Sequence, residues 1–96
     1  MPNEIVFTSE FGRLYKTKKE KSPKTLIEKI ENGLIELRHA DEPERLGTLK
    51  KGKLSSYYSY DISRGHRILY RVERRGGNVV VYLHRVCDHK NVYGRD

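Results

Sequence analysis

The segment HRVCDHKNVYGRD, residues 84–96, sets His84, His89, Arg85, Cys87 and Tyr93 close together near one end of the sequence. Imidazole changes charge near neutral pH, so groups of this kind can hold or move a proton. Three readings fit such a cluster: surface decoration, a metal site, or one side of an active site. For a metal, His84, Cys87 and His89 would be the donors. There is no second cysteine pair, and strict alternation along a strand would put His84 on the face away from Cys87 and His89. No metal and no cofactor are therefore expected.

Upstream, Arg67 and Arg71 alternate onto one face of a strand, and Arg85 and His89 onto one face of the next. If those faces coincide, guanidinium groups and an imidazole converge on one patch. That chemistry suits RNA cleavage without a metal. The 2′-hydroxyl attacks the adjacent phosphorus, a base takes its proton, an acid protonates the leaving 5′-oxygen, and guanidinium stabilises the charged phosphoryl oxygens. A terminal histidine beside Asp88 would serve equally well as a plain surface ion pair.

Other residues could join either account. LKKGKL (49–54) sets Lys50, Lys51 and Lys53 around Gly52, as a phosphate-facing loop or merely a solvated one. It is not a P-loop, because no Ser or Thr follows the Gly-Lys pair and the spaced first glycine is missing. Glu44, in PERL, is a carboxylate near the start of this loop and could act as a base. Tyr57, Tyr58 and Tyr60 could stack RNA bases. Tyr70 and Tyr82 are expected in the core with their hydroxyls at its rim. Tyr93, past the last expected strand, has no packing reason to be there.

The elements that must position these groups follow from periodicity. EIVFT (4–8) is a short strand, and Ser9 can cap a helix carrying Phe11, Leu14 and Tyr15 on one side. Ser22 and Pro23 open a second helix with an apolar stripe of Leu26, Ile27, Ile30, Leu34 and Leu37. Asn32-Gly33 falls inside that stripe and threatens to break it. From Ser55 the period becomes two: Tyr58, Tyr60 and Ile62 share a face, then Ile68, Tyr70 and Val72 after a turn at SRG (63–65). RRGG (74–77) makes a hairpin turn, and NVVVYLHRV (78–86) follows as an interior strand. The expected fold is α+β, in the order β-α-α-β-β-β, with an antiparallel sheet and two N-terminal helices packed on one face. Residues 1–96 form a single domain.

Composition agrees with a polyanion-binding domain of this size. Twenty Lys and Arg against thirteen Asp and Glu give a net charge of +7, and a basic domain gains affinity for nucleic acid by releasing counterions. Up to Leu54 lysine dominates; beyond it arginine does, whose flat fork of donors suits directional phosphate contacts. The single cysteine excludes an intrachain disulfide. No membrane span or leader is apparent, so a cytoplasmic protein is expected.

YYSYDISRGHRILYRV (57–72) and VVVYLHRVCDHKNVY (79–93), with the order of elements, resemble the RelE/ParE superfamily of type II toxin–antitoxin systems, and its RelE, YoeB and YafQ ribonuclease branches in particular. The superfamily's R-[IL]-[LV]-Y segment is RILY here, starting at Arg67. YafQ-like toxins end in a histidine with an aromatic residue four positions on, as His89 and Tyr93 stand, and PERL matches the YoeB-like PExL carboxylate through Glu44. The resemblance implies a ribosome-dependent endoribonuclease that cuts mRNA in the A site and leaves a cyclic phosphate. It also implies a cognate antitoxin that wraps the toxin in a hetero-oligomer. On that model His89 is general acid or base, Arg67 stabilises the phosphate, and Tyr93 positions or stacks on the substrate. Glu44 is a further base, while Lys50, Lys51 and Lys53 face ribosomal RNA. Arg71, Arg85, Tyr58 and Tyr60 complete the substrate contacts. Tyr58 and Tyr60 stand where RelE itself uses lysines, so lysine-based proton transfer does not carry over. A ParE-like gyrase inhibitor of the same fold, or a non-catalytic RNA-binding module, are the alternatives.

Overall fold

A computed structural model describes residues 2–49, 57–63 and 65–88, the last two by their backbone alone. The elements are β1 (Glu4–Phe7), α1 (Ser9–Lys21), α2 (Lys24–His39), a 3-10 turn (Pro43–Leu46), β2 (Thr48–Leu49), β3 (Tyr58–Ser63), β4 (His66–Arg75) and β5 (Asn78–Asp88). They form a five-stranded sheet in the order β1-β5-β4-β3-β2. The expected two-helix α+β architecture is present, but the sheet is mixed rather than antiparallel. β1 lies parallel to β5, with Glu4 opposite Val80 and Phe7 opposite Leu83. A parallel pair needs a long crossover, and the two helices belong to the one that brings the chain back.

Both helices start one residue from where the sequence places them. The hydroxyl of Thr8, not Ser9, accepts from the Phe11 amide at 3.2 Å and donates to the Leu83 carbonyl at 2.8 Å. One side chain therefore caps α1 and fastens its start to β5. Ser22 closes α1, and Pro23 is the cap residue of α2, whose first helical position is Lys24. Lys18, Lys19 and Lys21 occupy the last turn of α1, where the helix dipole favours cations.

α2 runs unbroken through Asn32-Gly33. Gly33 is there because β3 comes close: a Cβ at this position would stand 2.9 Å from Ile62 Cγ2 and 3.3 Å from Tyr60 Cε2. α1 packs mainly on β5 and α2 on β3. Between helices and sheet lie Phe11, Ile30, Leu37, Ile68, Tyr70, Val81, Leu83 and Val86, all fully buried. Each such side chain contributes about 1.5–3 kcal/mol of burial. Tyr70 satisfies its phenol by donating to the Pro43 carbonyl at 2.5 Å, and burial pushes that phenol's pKa well up. At the β4–β5 hairpin Gly76 takes φ +60°, the left-handed conformation the turn requires. Among the described residues, no helix is long and apolar enough to cross a membrane.

Candidate functional site

Cross-strand register fixes which side chains share the face away from the helices. Asp61 on β3, Arg67 on β4 and Cys87 on β5 stand in one backbone row; Ser59, Leu69 and Arg85 form the next; Arg71 and Tyr82 pair beyond it. The three arginines expected to meet therefore do lie on adjoining rows. Each is also held by a carboxylate. Arg67 Nε is 2.6 Å from Asp61 Oδ1, Arg85 Nε donates to Glu10 at 2.8 Å, and Arg71 pairs with Glu73 while its guanidinium lies 4.5 Å over the Tyr82 ring. Hydrogen bonds from Arg71 and Arg75 hold the Glu73 carboxyl below the usual carboxylate range. The result is a row of oriented guanidinium planes with their charge partly matched. A phosphate entering here would compete with carboxylates for directional donors already in place.

A break in the ladder adds a residue that alternation had put aside. Leu69 faces Arg85, yet Tyr70 faces Leu83, so His84 is an extra residue bulged out of β5. Bulges of this kind re-aim side chains. The His84 ring stacks on Tyr57, with centroids 4.5 Å apart and planes 28° from parallel. Burial lowers its pKa; Arg71 and Arg85 act in the same direction, and Glu10 opposes them. The imidazole is consequently neutral at physiological pH. Its Nε2 is buried and has no hydrogen-bond partner, as is also true of Ser59 Oγ, on the same face in the row of Leu69 and Arg85. Leaving a buried polar atom unpaired costs roughly 1–3 kcal/mol, so such atoms call for an explanation.

The sequence carried a signal for this bulge. The core positions of β5 are Val81, Leu83 and Val86, a step of two followed by a step of three, which strict alternation cannot produce. Strict alternation therefore fails between Leu83 and Val86. The Cys87 side chain and His89 lie outside the described residues, and among those described no three His, Cys, Asp or Glu side chains group to hold a metal.

Other sequence expectations need correcting. Tyr58 and Tyr60 are not on the arginine face; they pack against the core, Tyr58 stacked on Tyr70 and Tyr60 donating to Glu36 of α2. Both pair across to helix-facing residues of β4, Tyr70 and Ile68, which leaves no route to a substrate on the other side. Tyr82 is not in the core but on the arginine face beneath Arg71, since it alternates with Val81 and Leu83. Glu44 accepts three hydrogen bonds from the guanidinium fork of Arg74, at 2.9 to 3.2 Å. Arg74 is seven residues along β4 from Arg67, about 23 Å at ~3.3 Å per residue. The structure thus holds Glu44 on the Tyr70 and Arg74 side of β4, not among the arginines of the other face. Lys50, Lys51, Lys53, His89 and Tyr93 lie outside the described residues. The last described residue of β5, Asp88, pairs with His66, next to Arg67.

No protein-family model and no curated protein sequence matches the chain. Solved structures do. A mutant of YafQ from E. coli superposes with a TM-score of 0.74 at 9% identity, over 96% of this chain and 99% of its own. A YoeB/ParE toxin from Agrobacterium tumefaciens gives 0.71 at 21% identity, over 90% and 98%. The RelBE2 toxin–antitoxin complex from Mycobacterium tuberculosis gives 0.63 at 23% identity, over 93% of this chain and 100% of the matched one. The fold is that of the RelE-like toxins, along nearly the whole chain.

Proposed function

We propose that this protein is the toxin of a type II toxin–antitoxin pair and cleaves mRNA, at the ribosomal A site, by metal-independent attack of a 2′-hydroxyl. The observation that carries this reading is the row of Asp61, Arg67 and Cys87 across β3, β4 and β5, in a fold shared with YoeB, YafQ and RelE. A fixed guanidinium stands beside the strand that leads directly into HKNVY (89–93).

In the reaction, the substrate's O2′ forms a bond to phosphorus as the bond from phosphorus to O5′ breaks. A base receives the 2′-hydroxyl proton and an acid supplies one to O5′, leaving a 2′,3′-cyclic phosphate and a 5′-hydroxyl end. Arg67 has the right chemistry for the charge that grows on the phosphoryl oxygens, oriented by Asp61. His89 is assigned one of the proton steps and Tyr93 the positioning of the substrate. Arg71 and Arg85 contact the flanking backbone, and Lys50, Lys51 and Lys53 meet ribosomal RNA. The partner is an antitoxin that covers this face.

Brief expression in cells followed by mapping of mRNA 5′ ends tests the assignment. Wild type is expected to create new ends within coding sequence, and Arg67→Ala to reduce them roughly 10²–10³-fold, the usual effect of removing one donor to a developing oxyanion. Undiminished cleavage in both Arg67→Ala and His89→Ala would defeat the proposal. Damaged DNA with intact mRNA would replace it with gyrase inhibition.

A further inference from the structure

Tyr57 and His84 lie on the arginine face and neither belongs to the core cluster. We propose that their stack is a nucleobase subsite: it holds one base of the single-stranded RNA flanking the phosphate at Arg67 and sets the base preference of cleavage there. The assignment rests on the ribonuclease reading and extends it to substrate selection.

Four observations support it. First, the ladder is irregular at this point: the bulge sets both His84 and Arg85 on this face, so the imidazole stacked on Tyr57 has a guanidinium next to it along β5. Second, both residues are only partly buried, so the pair has surface for a third flat ring, and an aromatic ring accepts the π-face of any base. Third, the two buried polar atoms without partners among the described residues, His84 Nε2 and Ser59 Oγ, are both on this face. Stacking holds any base, whereas hydrogen bonding to a base edge distinguishes one from another. Fourth, the position fits the scissile phosphate. The row of Leu69 and Arg85, beside which His84 is inserted, is two residues along β4 from Arg67. That is about 7 Å, roughly two nucleotides at a stacked spacing of about 3.4 Å.

Burial beside Arg71 and Arg85 keeps the imidazole uncharged. A neutral ring offers one donor and one acceptor nitrogen, the pattern needed to read a base rather than merely to attract a phosphate. Arg71, over Tyr82, lies on the adjoining row and supplies a further flat cation for the neighbouring nucleotide.

The test maps cleavage sites in cells for wild type, Tyr57→Ala, Tyr57→Phe, His84→Ala and His84→Phe, with Arg67→Ala as the inactive control and thermal melting to confirm folding. Tyr57→Phe keeps the stack and should recover much of the cleavage that Tyr57→Ala loses, at the wild-type base preference. Tyr57→Ala and His84→Ala should lose about 5- to 150-fold in cleavage, the value of one stacked base. His84→Phe should cleave more than His84→Ala and flatten the preference at a single position near the cut. A merely structural role would lower all sites together with the preference unchanged; that outcome, or unaltered cleavage in both alanine variants, overturns the subsite and leaves the ribonuclease reading intact. Absence of any mRNA cleavage by wild type overturns both.

Discussion

Gly33 and Gly12 are both inside helices, and the structure predicts opposite responses to alanine. Replacing a helical glycine with alanine ordinarily stabilises by about 0.5–1 kcal/mol, because glycine loses more backbone freedom on folding. At Gly12 a Cβ would meet nothing within 4 Å, so the full gain is expected. At Gly33 the same atom would fall 2.9 Å from Ile62 Cγ2. That methyl belongs to a β-branched side chain on a strand, stiff about χ1, and the Tyr60 ring at 3.3 Å closes the other direction. Overpacking of this sort costs about 1–3 kcal/mol, which matches or exceeds the propensity gain, so Gly33→Ala should be destabilising by about 0–2.5 kcal/mol. In a domain of this size each kcal/mol moves the melting temperature by roughly 4–8 °C. Urea and thermal unfolding of the two variants beside wild type would measure the contrast. Equal stabilisation by both substitutions would mean that α2 does not sit this tightly on β3, and the placement of Tyr57 and Asp61 on the opposite face would lose its support.

Three further outcomes are expected. The His84 imidazole, faced by Arg71, Arg85 and Glu10, has its pKa lowered below the ordinary 6.5, so in the window below that value the unfolded chain binds more protons than the folded one. Stability should therefore fall as pH drops through that window, and unfolding curves of His84→Gln should show a shallower fall; an identical slope would remove the assigned burial. Thr8→Ala deletes the α1 cap and its tie to Leu83 and should destabilise by about 1–2 kcal/mol in chemical denaturation, with no change taken as evidence against the cap. Glu44→Gln should leave mRNA cleavage at the wild-type level and reduce stability by less than about 1 kcal/mol, because its partner Arg74 is half-exposed; a large loss of cleavage would place Glu44 in the reaction after all.

The strand and helix periods were legible because one-sided burial writes itself into apolar spacing. Ile68, Tyr70 and Val72 alternate as a half-buried strand must, and Ile30, Leu34 and Leu37 mark the stripe of α2. Arg67 and Arg71 were placed on one face by the same logic, and Arg85 reached it only through the bulge. What stayed hidden depended on contacts between distant segments. Nothing local to Asn32-Gly33 says that β3 passes against it. The parallel pairing of β1 with β5 is set by the path of the whole chain, and the pairing of Arg74 with Glu44 joins residues thirty positions apart. His84 belongs to an intermediate class: the Leu83-to-Val86 step announced an irregular strand, but its stacking partner Tyr57 became apparent only once β3, β4 and β5 were in register. Tyr58 and Tyr60 were placed correctly on the face of Ile62 yet also given a base-stacking role, because tyrosine serves a wet surface and a core equally well.

The pairing of β1 with β5 also constrains when this protein can come into being. In the described sheet β1 has β5 as its single neighbour, and β5 is the last of the described elements to leave the ribosome. A nascent chain that has not yet produced Asn78–Asp88 holds an orphan first strand, a helix start with nothing for Thr8 to donate to, and an apolar layer that lacks Val81, Leu83 and Val86. Assembly of the sheet must wait until β5 has been made, and the arginine face, which needs β5 for Arg85 and His84, is completed in the same step.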